Sequence, residues 1–153
     1  MTKGTWLSPV SILNSRLLSA SYNVHHDYDS NDPVLSLSID YDITHPDLGD
    51  DFLSSDCILF LTCSWHDPED ASRESHSASC RMGITAVVPK SSFSDEIGNE
   101  ERIKYVDANA VSLTYGKIRA LLEALSAQST VGQQTIPAID PYALLETDPN
   151  EGD

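Results

Sequence analysis

Residues 107–146 read DANAVSLTYGKIRALLEALSAQSTVGQQTIPAIDPYALLE, and their pattern decides the fold. Val111, Tyr115, Ile118, Leu122 and Leu125 recur at spacings of four and three, which sets them in one apolar stripe along a helix. Asp107 or Asn109 is expected to cap its start, because either side chain can accept from backbone N–H groups left free in a first turn. The apolar period dies over residues 126–135 in Ser, Thr, Gly132 and Gln. Beyond it, Asp140 and Pro141 read as the N-cap and first position of a second, short helix, where proline's missing N–H costs nothing. An amphipathic helix of this length needs an apolar surface to lie on, and the preceding sequence has to supply it.

It does so as four stretches of strand. Residues 16–24 alternate, with Leu18, Ala20, Tyr22 and Val24 set against Ser19, Ser21 and Asn23. Residues 35–43 alternate more strictly, Leu35, Leu37, Ile39, Tyr41 and Ile43 against Ser36, Ser38, Asp40 and Asp42. Residues 56–65 are apolar on both sides over most of their length, as suits an interior strand. Residues 76–88 turn Ala78, Cys80, Met82, Ile84, Ala86 and Val88 to one face, and Pro89 stops the run. Polar turns join the strands at 25–33 and after Trp65, and 90–106 is expected to be a charged loop. Residues 1–14 show no clean period. Strands followed by helices predict an α+β protein, with one apolar sheet face covered by the striped helix.

The C-terminal motifs of this chain resemble those of the SecB family of protein-export chaperones. The resemblance is carried by Asn109, by Tyr115-Gly116-Lys117, by Ile136-Pro137-Ala138-Ile139 and by Ala143-Leu144-Leu145. The strand order and the acidic alternation Ile39-Asp40-Tyr41-Asp42 are also similar to that family, and extend the likeness over about residues 15–146. The resemblance implies a SecB-like α+β fold, a four-stranded antiparallel sheet with a long helix and a short C-terminal helix packed on one face, and an ATP-independent holdase that binds unfolded or pre-export polypeptides in apolar grooves. It also implies no cofactor, a cytoplasmic location and a homo-oligomer built as a dimer of dimers. In the family an acidic sheet face, here Asp40 and Asp42, meets the translocation ATPase SecA. The departures point to a divergent SecB-like branch, some of whose members serve toxin–antitoxin systems. The basic, Cys- and His-containing tail that shares zinc with SecA is replaced by Asp148–Asp153, and Lys117 stands where an Arg is usual. Alternatives are a dedicated toxin–antitoxin chaperone and a non-enzymatic adaptor or ligand-binding protein on the same fold.

Composition narrows the classes further. At 153 residues the chain is long enough for one domain with a real core, taken here as 1–147, with 148–153 a disordered acidic tail. A net charge of −15 opposes nucleic acid and anionic membranes as partners, because phosphates select Lys and Arg. The sequence has no apolar run long enough to span a membrane and no signal-peptide pattern. Its three cysteines fit reduced thiols. Cys57 and Cys63 share a strand face but stand six positions apart, roughly 20 Å of extended chain, too far to pair.

Chemistry is sparse. His25, His26, Asp27 and Asp29, with His45, His66 and His76, are the metal-ligand types present, but neither a HxxxH nor a CxxC spacing occurs, and solvated turn residues are the expectation. The seven glycines are scattered, so no phosphate loop forms. No catalytic residue is predicted. The aromatics are the better lead, because a site for unfolded chains needs large apolar contact at low entropic cost. Trp6, Tyr22, Phe52, Trp65, Phe93, Tyr105 and Tyr115 are the candidates for a client groove between helix and sheet. For any one of them taken alone, core packing or edge cover is the expected role; the groove is expected of the set.

Overall fold

A computed structural model describes residues 8–25, 33–129 and 134–147. The strands are β1 (Ser11–Val24), β2 (Val34–Thr44), β3 (Phe52–His66) and β4 (Glu74–Pro89), and the helices are α1 (Asn99–Ala127) and α2 (Pro141–Glu146). Every strand pair is antiparallel, and the sheet order is β1-β4-β3-β2. The doubly apolar stretch thus becomes interior strand β3, as expected. The turn between β2 and β3 needs a residue in left-handed conformation; Gly49 provides it at φ 103°, and its N–H donates to Asp47 Oδ1 at 3.0 Å.

Both helices cover the same face of the sheet. The inward row of β4, Ala78 through Val88, is buried, and so is the β3 row Cys57, Leu59, Leu61, Cys63 and Trp65. Against them α1 sets Val111, Tyr115, Ile118 and Leu122, with Leu125 half-buried at the margin. A fully buried Leu or Ile contributes about 1.5–3 kcal/mol by leaving water, so this seam holds the two layers together. Asp140 caps α2 as its spacing predicts, accepting from the N–H groups of Tyr142 and Ala143. Residues 134–140, ahead of α2, are strapped back along α1. Arg119 Nε donates to the Ile136 carbonyl at 2.9 Å, and Ile136 itself is buried.

Three local expectations are corrected. α1 begins at Asn99, not at Asp107 or Asn109, so the stretch 90–106 is loop only in its first part. Gly98 is the N-cap and gives no side-chain bond; Glu100 and Glu101 in the first turn oppose the positive end of the helix dipole instead. Asp107 lies mid-helix, and Asn109 Nδ2 donates to the Tyr105 carbonyl. Second, β1 starts at Ser11, within the stretch that shows no period. Its register against β4 slips between Ile12 and Asn14 and again between Leu17 and Ser19. These bulges break the alternation, so Leu18 leaves the inward row while Ala20, Tyr22 and Val24 stay opposite Cys80, Ala78 and His76. Third, the sheet face turned away from the helices, expected to carry Ser, Thr and Asp, also carries Ile58 and Phe60, and Phe60 is 38% exposed. Trp6, the His26–Asp29 cluster and the tail 148–153 lie outside the described residues.

Candidate functional site: an aromatic groove and an acidic sheet face

The long helix is pinned at its start by one cation. Arg102 donates from Nε to the Ile97 carbonyl and from a terminal nitrogen to the Ser94 carbonyl, at 2.9 and 3.0 Å. Its guanidinium also sits 5.5 Å over the Phe93 ring. Held this way, the loop after β4 brings Phe93 edge-on to Tyr105 of α1, with ring centroids 5.6 Å apart at 89°. Ile97, Pro9 and the exposed Tyr142 of α2 complete the walls of a groove of about 490 Å³. Glu101 and Lys104 stand on it, Lys104 reaching to Glu146 of α2 at 3.8 Å. The lining is mostly carbon, open on one side, with charge confined to those two side chains. A surface of this type takes an extended apolar segment.

Of the six candidate aromatics among the described residues, the fold therefore brings two together here, Phe93 and Tyr105. The others go elsewhere. Tyr115 is 3% exposed on the α1 seam, its hydroxyl donating to the Pro137 carbonyl, and Trp65 is 5% exposed in β3. Both are core side chains and are corrected as groove residues: closed in on every side, they have no surface to offer a client. Trp65 stacks on His76 at 4.4 Å with Tyr22 beside them at 6.5 and 6.1 Å. Among the described residues the Tyr22 hydroxyl and His76 Nε2 make no hydrogen bond of normal geometry, although Ser129 and Gln134 lie near enough to act on their titration. Burial pushes the His76 imidazole below its ordinary range, with Glu74 pulling the other way, and holds the ring neutral. Phe52, 44% exposed, opens β3 at a smaller cavity of about 190 Å³ under the β2–β3 turn. Tyr142, Pro9 and Ile97 are groove residues that the sequence pattern did not single out. Tyr142 was legible only as part of a short helix.

Asp40 and Asp42 stand exposed on the outer face, as their alternation predicts. There they edge a second hollow of about 450 Å³ floored by Ile58 and Phe60, with Arg81 and Ser19 across it. Next to it Arg16 pairs with Asp56 at 2.8 Å, and Thr85 donates to the other oxygen of the same carboxylate at 2.7 Å. Burial raises the Asp56 pKa, but the bonds from Arg16 and Thr85 outweigh it and leave the carboxyl below its ordinary range.

Ser55, Asp107 and His45 come together, but Ser55 Oγ and His45 Nε2 both bond the same Asp107 oxygen. The serine hydroxyl therefore donates to the carboxylate and not to the imidazole, unlike a nucleophile paired with its base. Burial pushes the Cys57 thiol up to about 12, Cys63 to about 11, and raises Cys80, so all three stay protonated at neutral pH. Among the described residues no three metal-ligating side chains converge, and no helix is long and apolar enough to cross a membrane.

No protein-family model matches the sequence, and no curated protein matches it. Solved structures do match the fold. A SecB-like chaperone of Mycobacterium tuberculosis, solved in complex with a ChAD peptide from the HigA1 antitoxin, aligns with a TM-score of 0.51 at 15% identity, over 85% of this chain and 90% of that one. A protein of unknown function from Streptococcus agalactiae aligns with a TM-score of 0.44 at 10% identity, over 84% and 97% of the two chains. The order of elements, the antiparallel sheet and the two helices on one face agree with the first of these: the chain has a SecB-like fold.

Proposed function

We propose that this protein is an ATP-independent chaperone of the SecB-like kind, which holds apolar segments of non-native polypeptides in the groove between the start of α1, the loop after β4 and α2. The observation that carries the proposal is the groove itself, an open carbon-lined channel with Phe93, Tyr105 and Tyr142 on its walls. Contact there removes client apolar surface from water at about 25 cal/mol per Å² and needs no nucleotide, metal or catalytic group. The protein is a binding protein rather than an enzyme, works without a cofactor, and acts in the cytoplasm. Its net charge of −15 favours clients with basic flanks, through a smaller, salt-sensitive contribution.

Within this class, a dedicated toxin–antitoxin chaperone is supported by one specific observation, the antitoxin peptide bound to the M. tuberculosis neighbour. An adaptor or ligand-binding protein is what remains if the groove takes no polypeptide. Phe52 and Tyr22 are assigned secondary places at the margins of the helix-covered face. Asp40 and Asp42, with Phe60 beneath them, form a docking face for a basic partner, SecA being the partner that the family resemblance implies. Self-association follows from the uncovered sheet edges, with a dimer of dimers as the expected assembly. The groove is tested by fluorescence anisotropy with a panel of labelled unstructured peptides. Apolar, aromatic peptides with basic flanks should bind, and Tyr142→Ser should weaken them several-fold. Equal binding of apolar and purely polar basic peptides would mean that charge alone drives capture and would refute the groove.

A further inference from the structure

Trp6 is the candidate aromatic that the sites described so far leave unused. Residues 1–7, Met-Thr-Lys-Gly-Thr-Trp-Leu, lie outside the described residues, but the point at which they join the fold does not. The chain bends at Pro9, where the Ser8 hydroxyl accepts from the Val10 N–H at 3.2 Å, and Val10 packs against the core. Pro9 is itself a wall of the aromatic groove, with Phe93, Tyr105 and Tyr142. Trp6 precedes Pro9 by three positions, so even a fully extended chain keeps it within about 11 Å of that wall. The groove of about 490 Å³ has room for an indole ring, and Tyr142, 43% exposed, offers it an uncovered face. Charge agrees as well. None of the 24 acidic residues falls within residues 1–26, so this segment brings Lys3 and no carboxylate to a groove edged by Glu101, where Lys104 is already turned to Glu146.

We propose that the resting occupant of the groove is the chain's own segment, residues 2–7, with the Trp6 indole against Phe93, Tyr105 and Tyr142, and that a client polypeptide has to displace it. Tethering favours the segment. With so short a link between ring and wall, the two meet at an effective concentration on the order of millimolar, so a contact too weak to hold a free peptide still fills the site. Seating takes indole surface out of water, and the ordering cost is confined to a few residues. An occupied groove lowers the apparent affinity for every client by the fraction of molecules whose groove is open. The segment therefore covers the aromatic walls when no client is present and sets the threshold that a client has to exceed.

The seating rests on the reading of the groove as a site for apolar segments, but its first readout needs no client, so the two fail separately. The chain has two tryptophans and Trp65 is buried, so subtracting the emission of Trp6→Ser from that of the wild type isolates Trp6. In the protein this emission should lie to the blue of a free peptide of residues 1–8, with acrylamide quenching slowed several-fold. Tyr142→Ser, at an exposed position that should leave the fold intact, should move both values toward those of the free peptide. A labelled Leu- and Phe-rich peptide with Lys flanks should red-shift Trp6 as it binds, and should bind Trp6→Ser several-fold more tightly than the wild type. Emission and quenching equal to those of the free peptide would overturn the proposal. So would shielding that survives Tyr142→Ser combined with Phe93→Ala, because Trp6 would then sit elsewhere. Shielding lost on dilution would place the segment in a second copy's groove, and weaker peptide binding by Trp6→Ser would make Trp6 part of the client surface; either result overturns it. If Trp6 is shielded as expected and the peptide binds neither form, the client reading falls and the seating stands.

Discussion

Tyr115 separates packing from recognition most cleanly, because it was expected in the client groove and yet is buried. The ring lies on the α1 stripe at 3% exposure, and burial raises its hydroxyl pKa. The hydroxyl donates to the Pro137 carbonyl and so fastens the segment between the helices to α1. Tyr115→Ala removes the whole ring from a closed site, which costs about 3–5 kcal/mol including the cavity left behind. Tyr115→Phe removes only the hydrogen bond. Pro137 is exposed, so water can take over the carbonyl, and the loss should be about 1 kcal/mol or less. For a chain of this size these values correspond to a drop in Tm of roughly 10–20 °C for Ala and a few degrees for Phe. Circular dichroism melts, paired with urea titrations at unchanged m, measure both. At a temperature where each variant remains folded, suppression of client aggregation per folded molecule should match the wild type. A Tyr115→Ala protein with normal stability but lost suppression would refute the packing account and return Tyr115 to the binding surface.

Three further outcomes follow from the same geometry. His76 is buried and neutral, so its folded pKa lies below the ordinary value of about 6.5; stability should be complete above that pH and fall as pH drops below it, and His76→Phe should flatten the slope in melts between about pH 5 and 7.5. A methyl group on Gly83 would lie 2.7 Å from the Arg16 guanidinium carbon, so Gly83→Ala should displace Arg16 from Asp56 and cost about 1 kcal/mol, with no further loss when combined with Arg16→Ala. Asp40→Asn with Asp42→Asn should leave the melt almost unchanged, since both are solvated, while weakening any basic partner and removing the salt dependence of its binding; a large drop in Tm would mean that β2 faces the other way.

Much of this architecture was legible in the residues. Strict alternation in 35–43 and 76–88 fixed both faces of β2 and β4, and the Val111–Leu125 stripe found the helix face that covers them. What escaped did so for local physical reasons. The first two turns of α1, Asn-Glu-Glu-Arg-Ile-Lys-Tyr-Val, are rich in charge and read as loop, although Glu, Arg and Lys are good helix formers and Ile103, Val106 and Ala110 keep the period. Bulges at β1 shift its register twice, so alternation could not mark its start or place Leu18. The groove was legible only by parts. Phe93 and Tyr105 were visible as aromatics, but their meeting depends on Arg102 holding the loop carbonyls of Ser94 and Ile97, a contact between residues with no pattern in common. Burial of Trp65 beside Tyr22 and His76 is likewise a product of strand pairing and not of any local signal.

The central claim, capture of non-native chains in the groove without nucleotide, is tested most directly by light scattering. A client is unfolded and diluted into buffer with the protein at near-stoichiometric ratio and no ATP, beside Tyr142→Ser and Phe93→Ala. The account predicts that the wild type retards aggregation, that moderate salt changes this little because apolar burial drives it, and that both variants retard it less while remaining folded. Aggregation of several unrelated clients proceeding at the same rate with and without the protein would contradict it.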